Sequence, residues 1–319
     1  MSSFASQIVA VAAITRPINC ALTMVSVVVG ALTMGASRIG VDVGLAAVAA
    51  ALITGSGNVI NDLTDVEEDR INRPDRPLPS GAISPVTAWV SVVILGLTGL
   101  GMAWELGPAT GMIATAVAIG LIAYSLGLKH QGPIGNLLVA AMAALTFPYG
   151  AMAVADGVAA GGAATGMTNS ELAWNLMNDL FTVGRAWIPA SFAFVYHLGR
   201  EIVKGVEDQA GDERRGVGTL AIRFGPIPAR RMAAVCLILV GLVALAPWIA
   251  GVYGIAYGVS VLILDAMLVG WIRLLLTSVP IGRLSRRLLA GMALGLLAIC
   301  LGELTAPSPT HSPPLQDQR

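Results

Sequence analysis

Nine apolar segments, each long enough to cross a bilayer as a helix, run through this chain of 319 residues. A transmembrane helix needs roughly 20 mainly apolar residues. Hydrophobic residues make up 55% of the chain and charged residues 12%, whereas soluble domains carry about 25% charged residues. We therefore predict an all-α integral membrane protein with nine transmembrane helices. The predicted spans lie near residues 14–36, 41–61, 84–104, 108–128, 134–154, 184–203, 228–250, 254–276 and 284–304.

The distribution of basic residues predicts the orientation of these spans. If nine helices alternate from a cytoplasmic N-terminus, sixteen of the nineteen Lys and Arg residues fall on or near the cytoplasmic side, and only Arg38, Arg185 and Arg319 fall opposite. Cytoplasmic loops of membrane proteins carry such an excess. We therefore expect a multi-pass protein of the cell (inner) membrane with a cytoplasmic N-terminus. Basic and acidic residues cancel to a net charge of zero, which argues against nucleic acid as a partner.

The chain reads as one domain followed by a short tail. We assign residues 1–304 to a single transmembrane domain, and we expect the Pro/Ser-rich residues 305–319 to be disordered because such a composition cannot build a core. Between the fifth and sixth spans, apolar residues recur at helical spacing over residues 171–181. This spacing favours a short interfacial helix on the outer side of the membrane.

The acidic residues are concentrated in two short segments. Eleven of the nineteen lie within residues 62–75 and 201–213, and both segments fall on the predicted cytoplasmic side. Positions 58, 62, 65 and 69 are spaced by four, three and four residues, and positions 201, 204, 208 and 212 are spaced similarly. Residues at such spacing share one face of a helix. A solvated loop does not require acidic residues at regular helical spacing.

The chemistry of these segments suits a metal and a pyrophosphate. Carboxylate oxygens are ligands for Mg²⁺, which keeps several waters and is usually completed by substrate phosphates. Cationic side chains, which pair with phosphate oxygens, lie nearby in the sequence. These side chains belong to Arg70, Arg73, Arg76, Lys129 and Lys204.

Two alternatives remain open at this point. The acidic segments could be solvated juxtamembrane loops whose helical spacing arose by chance. They could also bind the coupling ion of a secondary transporter, although transporters place such acids near the bilayer midplane. Here most of the acids lie at one face of the membrane, in loops continuous with the ends of the spans.

Both segments resemble the motifs of the UbiA superfamily of intramembrane prenyltransferases. The first matches the family pattern N-D-x-x-D-x-x-x-D from Asn61 to Asp69. The second matches D-x-x-x-D at Asp208 and Asp212, with the family's upstream acid at Glu201. The motifs follow the second and sixth predicted spans, as in the family, so the resemblance covers about residues 10–304.

Within the superfamily, one branch is most similar to this chain. Residues 200–212 and 218–225, together with Arg16-Pro-Ile-Asn19, look most like the branch that makes archaeal-type ether lipids. The chain departs from that branch at Gly205, where an Asp is expected. The resemblance implies a UbiA-type bundle in which cytoplasmic loops cap the active site.

The resemblance also implies an activity and a set of functional residues. The activity is Mg²⁺-dependent transfer of a polyprenyl group, geranylgeranyl in this branch, from its pyrophosphate to a membrane-soluble acceptor. The acceptor of this branch is geranylgeranylglyceryl phosphate, and the alternative is a quinone or tetrapyrrole precursor of the homogentisate, hydroxybenzoate, naphthoate or chlorophyllide type. Catalysis and metal binding would fall on Asp62, Asp65, Asp69, Asp208 and Asp212. Substrate contacts would fall on Asn19, Asn58, Arg70, Arg73, Arg76, Lys129, Glu201 and Lys204.

Overall fold

The regular structure of the protein is helical throughout the part of the chain that is described. The computed structural model describes residues 4–35, 39–160, 183–209, 213, 218–277 and 279–305. The helices of the N-terminal half are α1 (Phe4–Ile14), α2 (Pro17–Leu32), α3 (Val41–Thr64), α4 (Val66–Asn72), α5 (Pro85–Leu106), α6 (Pro108–Leu126) and α7 (Pro133–Ala160). The later helices are α8 (Trp187–Glu207), α9 (Leu220–Phe224), α10 (Pro226–Ala244), α11 (Ala246–Ile249), α12 (Ile255–Leu276) and α13 (Leu284–Thr305).

Seven helical segments among the described residues are long and apolar enough to cross a membrane. They are α3, α5, α6, the first 24 residues of α7, α10 continued through α11, α12 and α13, and they coincide with seven of the nine predicted spans. The other two predicted spans are also helical. However, α2 has only 16 residues, and α8 carries Arg200, Glu201 and Lys204 near its end. Helices of this number, length and hydropathy are those of a multi-pass membrane protein.

Local sequence explains where several helices begin. Pro17, Pro85, Pro108 and Pro226 occupy the start of α2, α5, α6 and α10, a position where proline's missing N–H and fixed φ carry no penalty. The hydroxyl of Ser84 accepts a hydrogen bond of 3.0 Å from the backbone N–H of Thr87, which caps α5.

Small residues bring α2 and α7 into close contact. A Cβ atom added at Gly30 of α2 or at Gly150 of α7 would overlap the carbonyl oxygen of Phe147 or Val27, respectively, on the facing helix. Such close approach is how helices associate in a bilayer, where apolar burial alone provides little driving force. Large apolar side chains such as Leu97 and Leu242 are two-thirds exposed on the outside of the bundle, as contact with lipid requires.

Several predictions from the sequence fall outside the described residues. These are the interfacial helix at residues 171–181, Asp212, and the tail beyond Thr305. The last span was predicted to end near residue 304, and α13 ends at Thr305.

Candidate active site

The first acidic segment joins the end of α3 to α4. The spacing of the acidic residues places them on one face if the helix continues, but α3 ends at Thr64 and α4 begins at Val66. Helical hydrogen bonds still cross the junction, from the Asp65 N–H to the Asn61 carbonyl (3.0 Å) and from the Asp69 N–H to the Asp65 carbonyl (2.8 Å). The carboxylates of Asp62 and Asp69 therefore remain on one side of the chain.

Asp62 and Asp69 are buried and share one arginine. Arg76 Nη1 donates to Asp62 Oδ1 at 3.1 Å and to Asp69 Oδ2 at 2.5 Å, and Arg16 Nη2 donates to Asp62 Oδ1 at 2.5 Å. The Asp62 and Asp69 residues are only 4% and 6% exposed. Burial raises the pKa of the Asp69 carboxyl above its ordinary value, and the hydrogen bond from Arg76 opposes that rise.

Asp65 pairs with a lysine from a distant turn. Lys129 lies in the single turn Leu128–Gln131 that follows α6. Its Nζ donates to Asp65 Oδ1 at 2.5 Å and to the hydroxyl of Thr64 at 2.8 Å. Asn61 Nδ2 donates to the other oxygen of Asp65 at 3.0 Å. The turn thus brings a cation directly onto the first motif.

The second acidic segment faces the first across the same end of the bundle. Arg73 Nη2 lies 3.9 Å from Asp208 Oδ1, so a side chain that follows the first motif pairs with an acid of the second. About two turns earlier on α8, the buried Glu201 pairs with Arg200 at 2.9 Å and with Lys204 at 3.5 Å. Lys204 also lies close enough to Arg16 to interact with it electrostatically.

The loops around the two motifs support each other. The backbone N–H of Gly218, in the loop after the second motif, donates to the His130 carbonyl at 3.1 Å. Gly132 has a φ of +61°, and a Cβ atom there would overlap the carbonyl oxygen of Gly218. The turn that carries Lys129 is therefore docked on the loop that follows the second acidic segment.

Some predicted site residues lie apart from this cluster, and one cation within the cluster is absent from the predicted set. Arg70 pairs with Glu67 at 2.8 Å, and both side chains are exposed. Asn58 Nδ2 donates to the Thr15 carbonyl at 2.8 Å, and Asn19 lies in the first turn of α2. Our assignment of site residues omitted Arg16, although an Arg-Pro pair at the start of a span was a signal that could have identified it.

The carboxylates present fit Mg²⁺ held jointly with a substrate. Among the described residues, no three His, Cys, Asp or Glu side chains converge as a ready-made metal site. Mg²⁺ is rarely held by a cage made only of protein, and it usually takes one or two carboxylates, several waters and substrate phosphates. Asp62, Asp65 and Asp208 offer hard oxygen ligands of that kind next to cations that suit a pyrophosphate.

At least two cavities lie between the described helices. The larger, of about 640 Å³, is bounded by α2, α7, α8, α10, α12 and α13 and is lined mainly by apolar side chains. The smaller, of about 330 Å³, lies between α2, α3, α6 and α7. Helices α2 and α7 line both, so their contact separates the two spaces.

Comparison with known proteins agrees with this arrangement. A family model described as the UbiA prenyltransferase family matches residues 22–297. The chain is 36% identical over 286 residues to the digeranylgeranylglyceryl phosphate synthase of Methanopyrus kandleri, covering 89% of this chain and 96% of that protein.

Solved structures share the fold. One, described as giving structural and mechanistic insights into digeranylgeranylglyceryl phosphate synthase in membranes, has a TM-score of 0.67 and 27% identity, covering 93% of this chain and 99% of the other. A UbiA homologue from Archaeoglobus fulgidus, bound to DMAPP and Mg²⁺, has a TM-score of 0.56 and 16% identity, covering 90% and 98%. Because the family model matches most of the chain, the protein belongs to the UbiA prenyltransferase family.

Proposed function

We propose that this protein transfers a geranylgeranyl group from geranylgeranyl pyrophosphate to the free hydroxyl of geranylgeranylglyceryl phosphate in a Mg²⁺-dependent reaction. The name of the Methanopyrus relative supports this product, because a molecule with two geranylgeranyl groups forms when one is added to an acceptor that already carries the other. The homologue that holds DMAPP and Mg²⁺ supports the type of donor and the metal. The observation that carries the proposal is the pairing of both acidic motifs with cations at one end of the bundle.

The acidic side chains would hold the metal. Carboxylates of Asp62, Asp65, Asp69, Asp208 and Asp212 are the proposed ligands, and each Mg²⁺ would be shared with the pyrophosphate. When bound, Mg²⁺ neutralises the charge that develops on the leaving pyrophosphate.

The cations would position the pyrophosphate between the motifs. Arg76 and Arg16 reach Asp62, and Lys129 reaches Asp65, so three positive charges surround the proposed metal ligands. Arg73, which pairs with Asp208, extends this set toward the second motif. Fixed charges of this kind stabilise a leaving group because they need no reorganisation as the bond breaks. Asn58 donates to the carbonyl of Thr15, the residue before Arg16, and Asn19 lies in the first turn of α2, just after Arg16. Arg70 would contribute from its exposed position only after leaving Glu67.

The interior of the bundle would protect the reacting carbon. Cleavage of an allylic pyrophosphate leaves positive charge on the prenyl carbon, which water would quench. The cavities beneath the polar cluster are lined mainly by apolar groups, so they provide space for isoprenyl chains while excluding water.

We further propose the full topology from which this site is built. Helices α2 and α8 would add two spans to the seven, which makes nine within a single domain of residues 1–304. The excess of basic residues supports a cytoplasmic position for both motif loops and the N-terminus. Both motifs would then form one cytoplasmic cap over the membrane-embedded cavities.

The test uses purified protein in lipid vesicles, supplied with geranylgeranyl pyrophosphate and geranylgeranylglyceryl phosphate. We expect release of pyrophosphate together with a new diether lipid identified by mass spectrometry, loss of both with EDTA, and recovery with Mg²⁺. Asp62→Asn and Asp208→Asn should each lower the rate by about 100-fold or more.

Asp42→Asn is the matched control for these variants. Asp42 is an exposed carboxylate at the opposite end of the same helix as Asp62, so its loss should leave the rate unchanged. Full activity of correctly inserted Asp62→Asn protein would contradict the proposed site. Absence of diether product from the native protein, with a ring-prenylated product formed instead from a quinone precursor, would contradict the proposed acceptor.

A further inference from the structure

The larger cavity is lined by a histidine that has one unpartnered polar atom. Its lining is apolar except for four side chains, those of Ser26, Tyr196, His197 and Tyr257. The three hydroxyls donate to main-chain carbonyl groups over 2.6–2.9 Å. In contrast, His197 Nδ1 is buried and has no hydrogen-bond partner among the described residues.

A buried nitrogen without a partner among the described residues can be satisfied by a bound ligand. Leaving a buried polar group unpaired costs the full desolvation of that group. An isoprenyl chain filling the cavity would not repay that cost, because it offers no donor. A ligand that places a hydroxyl at His197 would repay it, while its apolar part fills the remaining space.

The order of groups along α8 shows how such a ligand would lie. Lys204, Arg200 and Glu201 occupy the polar end of the helix. His197 is four residues before Glu201, about 6 Å along the helix axis. From His197 the cavity wall continues along α8 through Ala193 to Pro189. Pro189 is eight residues from His197, so it lies about 12 Å farther from the polar end than His197 does.

We infer that His197 Nδ1 accepts a hydrogen bond from the hydroxyl of the acceptor lipid, whose phosphate lies toward Arg200 and Lys204 and whose isoprenyl chain occupies the larger cavity. This inference rests on the proposed function. In geranylgeranylglyceryl phosphate, the glycerol unit carries the phosphate, the free hydroxyl and the ether-linked chain on successive carbons, which matches the order of cations, imidazole and apolar wall along α8. A prenyl pyrophosphate has no hydroxyl between its charged group and its chain.

The same contact gives His197 a role in the transfer step. The acceptor oxygen forms a bond to C1 of the geranylgeranyl group, and the bond from C1 to the pyrophosphate oxygen breaks. The pyrophosphate leaves with that electron pair. The hydroxyl proton passes to His197 Nδ1 of a ring whose other nitrogen carries the proton of the neutral form. The charge of Glu201 favours the resulting cation, whereas burial and the charge of Arg200 oppose it. General-base catalysis of this kind contributes roughly 10²–10⁴-fold to a rate.

The experiment measures binding and turnover separately. Binding of geranylgeranylglyceryl phosphate is compared with binding of its deoxy analogue, without donor and without Mg²⁺. The native protein should prefer the hydroxyl compound by about tenfold or more, and His197→Leu should bind both alike. In turnover, His197→Leu should raise KM for the acceptor and lower kcat by about 100-fold, with KM for the donor unchanged.

His197→Asn separates the two roles, because its amide oxygen accepts a hydrogen bond but does not take a proton. We expect it to retain the preference for the hydroxyl compound and to lose kcat. Asp265→Asn is the control, since Asp265 Oδ1 is a second buried, unpartnered atom within the described residues but does not line the cavity. It should leave binding and turnover as in the native protein.

The possible failures are distinguishable. If the native protein forms no diether lipid, the proposed function fails. If it does, and His197→Leu keeps both the preference and kcat, the inference about His197 alone fails. A raised KM for the donor, with that for the acceptor unchanged, would assign the cavity to the donor chain and also overturn the inference.

Discussion

Arg16 adopts a backbone conformation that residues with side chains rarely hold. Its φ is +55°, and within the described residues it is the single non-glycine position with positive φ. It also precedes Pro17, and residues before proline favour extended conformations. The guanidinium that this conformation presents reaches Asp62 of the first motif. The ion pair offsets local strain, so we interpret Arg16 as a site residue.

Replacing Arg16 separates the backbone strain from the side chain. Arg16→Ala and Arg16→Gly should both slow transfer by about 10- to 100-fold, because a charge next to the proposed metal ligands is lost. Arg16→Gly should be more stable than Arg16→Ala by about 1 kcal/mol, because glycine adopts positive φ without strain. Thermal unfolding in detergent and the transfer assay measure the two effects. Equal stability of the two variants would argue against strain at this position.

A second prediction concerns the side chain of Arg76, which bridges Asp62 and Asp69. Arg76→Ala should lower the free energy of unfolding by about 3–5 kcal/mol, because the buried carboxylates of Asp62 and Asp69 lose a counter-charge. Adding Asp69→Asn to this variant should restore part of that loss. The measurement is a double-mutant cycle by reversible unfolding in detergent. Simple additivity of the two changes would show that the bridge contributes no coupling.

The helices meet through positions where only glycine fits. The close contact of α2 with α7 separates the two cavities, and it depends on Gly30 and Gly150 lying against facing carbonyl groups. At the end of the bundle that carries the acidic motifs, Gly132 allows the turn after α6 to lie against Gly218. Backbone contacts of this kind adjust little, so they set the distances between the elements that carry site residues.

The α2–α7 contact can be tested by adding one methyl group. Gly150→Ala should destabilise the protein strongly and lower expression, because its Cβ atom would overlap the Val27 carbonyl and force the helices apart. Gly101→Ala in α5 is the matched control, since a Cβ atom there has no neighbour within 4 Å. Thermal stability in detergent compares the two variants. If Gly150→Ala unfolded at the same temperature as the native protein, the two helices would have to be packed more loosely than the structure describes.

The docked turn can be tested in the same way. Gly132→Ala should lower activity by displacing Lys129 from Asp65, since its Cβ atom would meet the Gly218 carbonyl. Gly282→Ala is the control, because Gly282 also has a positive φ (+59°) but has no atom within 4 Å of an added Cβ. Both variants should lose about 1 kcal/mol of stability to backbone strain, and Gly132→Ala should lose more because its Cβ atom also meets the Gly218 carbonyl. Only Gly132→Ala should show a reduced rate of transfer, and equal rates would argue against a role for the docking.

The helical bundle as a whole is asymmetric, because its two ends carry different polar side chains. One end carries both acidic motifs and their cations, and apolar cavities lie beneath them. The opposite end has its own cluster of polar side chains, in which Glu303 accepts hydrogen bonds from Tyr253 (2.5 Å) and Arg185 (3.1 Å). Nine spans would place these two ends on opposite sides of the membrane.

Cysteine labelling tests this topology. In a background with Cys20, Cys236 and Cys300 replaced, Val252→Cys should react with a membrane-impermeant maleimide in intact cells. Ser80→Cys, in the loop after the first motif, should react only after the cells are permeabilised. Both positions are exposed in the structure. Labelling of the two variants from the same side would contradict nine spans, and labelling in the reverse pattern would contradict the proposed orientation.

Local sequence was enough to identify the membrane helices and the two acidic motifs, because span length, hydropathy and helical spacing are properties of continuous segments. The partners of those motifs depended on packing. Arg16 reaches Asp62 across 46 positions, and Lys129 reaches Asp65 across 64. The interruption of the helix at Asp65, the cavity and the unpartnered nitrogen of His197 likewise arise only when separate helices meet. Pairings between distant residues follow from backbone approach in three dimensions, which no local pattern encodes.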